Sequence, residues 1–251
     1  MNDLKRTDDK HWNLRDIFKV FLLYLLLMLA GIPVLIKVVK QVFGLDLVET
    51  YGQNTILLSL SLVVNIVTCL YIFKIVRTGY GLPVASLGLT IRNWKDDVKT
   101  GLKHYMIVLP AIIASGFIVD SVLRAFGIEP KQQDIINNLL NEDSLGVLAF
   151  MVFFGMLAAP IVEELLFRGF LQSAVRTTRD KLQTILISGF IFALIHWNAH
   201  VFLQIFVLGL MLAYLFEKTG SLVAPITVHI CHNTFTLAFL ISYKHILKSH
   251  V

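Results

Sequence analysis

Two adjacent carboxylates, Glu163 and Glu164, stand with Arg168 at or inside the apolar run Gly146 to Phe170. A carboxylate at bilayer depth costs at least ~2.5 kcal/mol on insertion scales, so a helix keeps one mainly when it is paired, shielded or used. Glu164 and Arg168 are four residues apart with the acid first, the favourable order for an ion pair on one helical face. Glu164 is therefore expected to be neutralised by Arg168 in a supporting role. Glu163 is turned about 100° away around the helix axis and has no partner at local spacing. It becomes the candidate general base, because a carboxylate balanced between desolvation and a nearby cation can take a proton from water near neutral pH.

Downstream, His196, His229 and Asn233 also fall in apolar helical stretches. If the chain folds back at about Asp180, Glu163 and His196 are each roughly 16 residues from that turn and share one level of an antiparallel pair. A second turn at about Lys218 to Gly220 brings His229 and Asn233 within about two turns of the same level. His229 and Asn233, at four-residue spacing, share a face and could aim two donors at a developing oxyanion. Glu163 and His196 could hold and deprotonate the attacking water. The same reasoning places His232 away from the Asn233 side. Phe192 is expected to pack, and Asp120 and His200 are left outside the site. The chemistry implied is amide hydrolysis.

Other uses of these groups compete with that reading. Glu163, His196 and His229 could be a carboxylate-and-imidazole set for Zn²⁺ with an open water position, although the sequence has no His-Glu-x-x-His helix. A transporter or proton relay would also employ intramembrane glutamates and histidines, yet no duplicated half or matched pair of broken helices is present. A non-catalytic immunity or scaffold protein would tolerate loss of Glu163. The leading expectation is an endopeptidase that requires no metal or other cofactor.

These groups must be positioned by membrane helices. Of the 251 residues 56% are hydrophobic and only 16% charged, and the mean hydropathy is +0.73, too apolar to cover a soluble domain. A hydrocarbon core of ~30 Å needs about 20 apolar residues per helix, which predicts an all-α multi-pass bundle of about seven spans. They run from Ile17 to Val39, Asn54 to Val76, Leu102 to Phe126, Leu145 to Phe170, Leu182 to Trp197, Val201 to Phe216 and Leu222 to Tyr243. No linker or internal repeat divides the chain, so residues 1–251 read as one membrane domain. Within it, 145–243 is the motif-bearing catalytic core and 17–126 holds three accessory spans.

Lysines and arginines set the orientation. Lys5, Arg6, Lys10, Arg15 and Lys19, the loop from Lys74 to Lys103, and the turn with Arg176, Arg179 and Lys181 all fall on one side, predicted to be cytoplasmic together with the N-terminus. The acid-rich segments around Asp46 and Glu142 belong outside; Lys244 and Lys248 run against the rule. The loop Thr78 to Thr100 is the largest cytoplasmic piece, and Gly127 to Ser144 is expected to hold a short surface helix. The formal charge of +5 is spread through loops, which is no nucleic-acid footprint. Cys69 and Cys231 lie within spans and read as small buried hydrophobes. The partners expected are the lipid bilayer and a peptide or membrane-protein substrate.

The motifs resemble those of the CAAX-prenyl-endopeptidase and bacteriocin-immunity family, the type II CAAX proteases. Glu-Glu-x-x-x-Arg stands as Glu163, Glu164 and Arg168, Phe-x-x-x-His as Phe192 and His196, and His-x-x-x-Asn as His229 and Asn233. The resemblance covers about Leu145 to Tyr243. It implies a multi-pass protease with catalytic groups inside the membrane, opening toward the cytoplasm. It puts the first Glu and first His on water and the second His and Asn on the oxyanion. The short, loop-poor chain is similar to bacterial members, which implies peptide maturation, pheromone processing or bacteriocin self-immunity.

Overall fold

The computed structural model describes residues 11–129 and 134–249. Lys5, Arg6 and Lys10 lie outside the described residues, as does the side chain of Lys248. The chain is all-helical, with no strand among the described residues. Among the described residues six helices are long and apolar enough to cross a membrane: α1 (Leu14–Phe43), α3 (Gln53–Gly79), α4 (Trp94–Ala125), α6 (Leu145–Val175), α8 (Ala199–Thr219) and α9 (Val223–Ser249). Between them lie α2 (Leu47–Tyr51), α5 (Asp134–Asn141) and α7 (Lys181–Leu194). Side-chain caps start several of these helices. Asn13, Ser144, Asp180 and Asn198 accept from first-turn amides, which satisfies donors that would otherwise be orphaned in an apolar medium.

The multi-pass bundle is as expected, with the fifth of the expected spans falling on the shorter apolar helix α7. That helix has 14 residues, about 21 Å long, short of the ~30 Å hydrocarbon core. Ile195 and Trp197, which lent hydropathy to the span Leu182 to Trp197, belong instead to the turn that sends the chain back into α8. Trp197 takes a left-handed φ of 47° there, an outlying conformation for a bulky side chain. The α7–α8 hairpin closes tightly because Gly189 faces Gly209: a Cβ on Gly209 would stand 3.1 Å from the Gly189 carbonyl and from the Phe192 ring.

Alternating helix directions put Arg15, Lys19, Lys74, Lys95, Arg176, Lys181 and Lys218 at one end of the bundle, and α2, α5 and the α7–α8 turn at the other. The basic end is built around one buried cluster, with a surface hollow of about 410 Å³ between the start of α1 and the end of α3. Trp12, Leu87, Phe170, Val175, Phe216 and Leu222 are all buried there in one cluster. The loop between α3 and α4 folds into this end rather than standing off it. The Gly88 carbonyl accepts from Leu222 N at 2.9 Å and Ser221 Oγ reaches the Thr90 carbonyl at 3.2 Å. Gly88 has φ +79°, and a Cβ there would meet Phe216 at 2.5 Å, so glycine is required on both conformational and steric grounds.

At the opposite end Asn54 donates to Glu142 at 2.9 Å, which holds that carboxyl below its ordinary proton affinity. Lys244 Nζ donates to the Leu139 carbonyl at 3.1 Å and to the Glu142 carbonyl. The cation that runs against the orientation rule thus serves the C-terminal end of α5, where carbonyls lack partners.

Candidate active site

α6 is not a uniform α-helix. Wide π turns occupy Phe154–Ala158 and Leu165–Gln172, on either side of the two glutamates. A π turn interrupts the regular carbonyl ladder, so side chains from neighbouring helices can supply partners to the backbone. Asn233 Nδ2 donates to the Gly155 carbonyl at 2.8 Å, and Trp12 Nε1 donates to the Phe170 carbonyl at 2.7 Å. These two bonds tie α6 to α9 and to the start of α1.

Glu164 and Arg168 are fully buried, with Arg168 Nη1 3.1 Å from Glu164 Oε1. Arg168 Nη2 also donates to the Gly209 carbonyl at 3.2 Å, and its guanidinium lies 4.3 Å from the centre of the Phe192 ring. Sequence spacing did not anticipate that the same Glu164 Oε1 also takes a bond from His229 Nδ1 at 2.8 Å. One carboxylate therefore holds both the arginine of its own helix and the imidazole of α9.

Glu163 points elsewhere, as its 100° offset requires. Its side chain is 31% exposed, and its Oε2 lies 3.8 Å from His229 Nε2. It lines two cavities. The first, about 410 Å³, lies among α4, α6, α7, α8 and α9, and its walls include His196, Gln204, His229, His232 and Asn233. The second, about 630 Å³, lies among α1, α3, α6 and the α7–α8 turn; apart from Glu163, His196 and a few polar groups, its walls are apolar. Only Glu163 and His196 line both. All four candidate catalytic residues, Glu163, His196, His229 and Asn233, border the first cavity.

The imidazole at the end of α7 has a defined proton arrangement. His196 Nδ1 is 2.7 Å from the Phe192 carbonyl, and a carbonyl only accepts, so the proton is on Nδ1 and in the neutral ring Nε2 keeps its lone pair. Phe192, buried to 1% exposure, contacts His196 and His229 edge-on at centroid distances of 4.9 and 5.7 Å. It fixes both rings as well as packing.

His232 departs from the expected placement, since it lines the first cavity beside His229 and Asn233. Three residues turn a helix through about 300°, which is only about 60° short of a full turn. His229, His232, Asn233 and Thr236 therefore form a single stripe. Asp120 and His200 pair with each other between α4 and α8, away from the glutamates.

As it stands, the arrangement is not a metal ligand set: no group of three or more His, Cys, Asp and Glu side chains among the described residues could hold an ion. That includes Glu163, His196 and His229. The Nδ1 partners of the two histidines are of the kind zinc ligands also use, so the orientation of the rings alone favours neither chemistry.

Comparison with known proteins finds a family likeness in the motif-bearing part of the chain. Residues 145–235 match the family described as type II CAAX prenyl endopeptidase Rce1-like. Among curated proteins the chain is 25% identical over 151 residues to a Bacillus subtilis protein named "Putative membrane peptidase YdiL", covering 59% of this chain and 60% of that one. It is also 32% identical over 74 residues to a Methanothermobacter thermautotrophicus protein named "Glyceraldehyde 3-phosphate phosphatase", covering 27% of this chain and 33% of that one. The chain thus spans a third to three-fifths of the length of these relatives. No solved structure matches it.

Proposed function

We propose that this chain is an intramembrane endopeptidase that hydrolyses a peptide bond of a membrane-associated or peptide substrate. The observation that carries the reading is that Glu163 and His196 border the same two cavities, one that gathers His229, His232 and Asn233 and one that is almost wholly apolar. Water between them gives its proton to Glu163 as its oxygen attacks the carbonyl carbon, with His196 Nε2 accepting a hydrogen bond from that water. The proton on Glu163 then passes to the departing amine nitrogen when the C–N bond breaks. His229 and Asn233 face the carbonyl oxygen in this scheme, and Glu164 and Arg168 hold His229 in place. The apolar cavity suits an apolar segment next to the scissile bond.

The basic end faces the cytoplasm in this proposal, and so does the N-terminus. Family likeness favours a site open to the cytoplasm, but the tight packing of the basic end argues for access from the bilayer and from the α5 end. Peptide maturation or bacteriocin self-immunity as the biological role rests on family likeness alone.

The test compares membrane peptide profiles of cells carrying the native chain and Glu163→Gln. Products that vanish with the variant, at equal protein abundance, are expected; identical profiles would favour a transporter or scaffold. Cleavage is further expected to survive exhaustive chelation. Loss on chelation with recovery on added Zn²⁺ would move Glu163, His196 and His229 into the ligand role.

A further inference from the structure

An amide hydrolase needs N–H groups aimed at the oxygen that becomes negative. The hydrogen bonds on α9 limit which side chains can offer one. His229 directs Nδ1 at the Glu164 carboxylate, 2.8 Å away, and a carboxylate only accepts. The His229 proton is therefore on Nδ1, and in the neutral ring Nε2 is an acceptor. It becomes a donor only when the ring is cationic. Asn233 already spends one amide N–H on the Gly155 carbonyl at 2.8 Å.

His232 is in a different position. Its Nδ1 lies 3.3 Å from the hydroxyl of Tyr105, a side chain 6% exposed in α4. The rings meet edge-on, with centroids 6.1 Å apart at 88°. A buried hydroxyl must place its own proton, and His232 Nδ1 is the acceptor it meets. A ring that accepts at Nδ1 carries its hydrogen on Nε2 when neutral. His232 also lines the first cavity together with Glu163, His196, His229 and Asn233. It belongs to neither of the motif positions on this helix.

We propose that His232, held by Tyr105 as the Nε2–H tautomer, is a further catalytic residue that donates a neutral hydrogen bond to the substrate carbonyl oxygen in the first cavity. The inference rests on the hydrolase reading above. The donor keeps its proton throughout, so the reaction's proton count is unchanged. A neutral donor beside His229 frees that ring from having to be cationic in order to stabilise the oxyanion.

The experiment uses the full chain in membranes and follows the peptides whose appearance depends on Glu163. If no peptide depends on Glu163, the hydrolase reading and this proposal fall together. With such a product identified, a synthetic peptide spanning its cleavage site becomes the probe for purified variants in liposomes. His232→Ala is expected to lower kcat by roughly 10²-fold with KM little changed. His232→Gln, which retains an N–H donor, should recover part of that loss. Tyr105→Phe leaves the imidazole in place but releases its tautomer, so it should lower kcat by less, and it keeps the test decisive if His232→Ala fails to fold. Unchanged kcat in His232→Ala, or in Tyr105→Phe where the alanine variant is unfolded, overturns the role of His232 while leaving Glu163 as the base.

Discussion

The two ends of this bundle solve opposite problems. At the basic end the long helices converge with a loop rich in glycine, and Trp12, Leu87, Phe170 and Leu222 are buried. Toward the other end the same helices separate around two cavities that meet at Glu163 and His196. In lipid, burying an apolar side chain gains little from transfer, because lipid tails are as apolar as leucine. Close backbone approach and hydrogen bonds to backbone carbonyls therefore have to hold the packed end. Arg168, Gln172 and Trp12 all donate to carbonyls there, at 3.2, 2.9 and 2.7 Å. A rigid end lets the other remain open without losing the geometry of its polar groups.

The largest effects should separate the two neighbouring glutamates, one facing each region. Glu163→Gln keeps the shape of the side chain but cannot act as a base, so turnover should vanish while folded protein is retained. Glu164→Gln leaves Arg168 buried with a weaker partner and His229 without its carboxylate. Breaking a buried pair typically costs about 3–5 kcal/mol, so the folded yield should fall along with activity. Yield by size-exclusion chromatography and turnover on the same preparations would decide this. Equal losses of both quantities in both variants would end the division of labour.

How much of this contrast the sequence revealed differs from residue to residue. The ion pair Glu164 and Arg168 was legible because four-residue spacing survives the local widening of the helix. The second bond of Glu164, to His229, was not, since it depends on how α9 rotates against α6. Helix phase alone understates His232, because a displacement of about 60° still leaves a side chain on the cavity stripe. Hydropathy found α7 but overran its end, because Ile195 and Trp197 are apolar whether they continue a helix or form a turn. The π turns around the glutamates have no composition signature. Nor does the docking of the α3–α4 loop, whose glycines read equally well as a free turn.

A second contrast concerns access, and single cysteines can read it. After Cys69 and Cys231 are replaced by serine, Thr236→Cys, at the wall of the first cavity, should react with a small membrane-impermeant thiol reagent added to intact cells. Ala224→Cys, fully buried at the basic end, should not react from either side until the protein is unfolded. Labelling of Thr236→Cys only in inside-out vesicles would reverse the assigned access and restore an opening toward the cytoplasm.

The smallest effect expected comes from the packed end alone. Trp12 is fully buried, stacks on Phe170 with centroids 5.5 Å apart and planes at 13°, and donates to the Phe170 carbonyl. Trp12→Phe preserves most of the stacking but leaves that carbonyl without its donor, a loss of about 1–3 kcal/mol for a buried polar group. Thermal unfolding in detergent should shift downward accordingly. The glutamates lie more than a full turn of α6 away, and their partners Arg168 and His229 keep their own hydrogen bonds, so kcat and KM well below the unfolding temperature should be unchanged. If kcat falls while the unfolding temperature holds, the packed end is not merely a support. The Phe170 carbonyl would then be setting the pitch of the π turn that carries Arg168, and the separation of a rigid end from a working end would have to be given up.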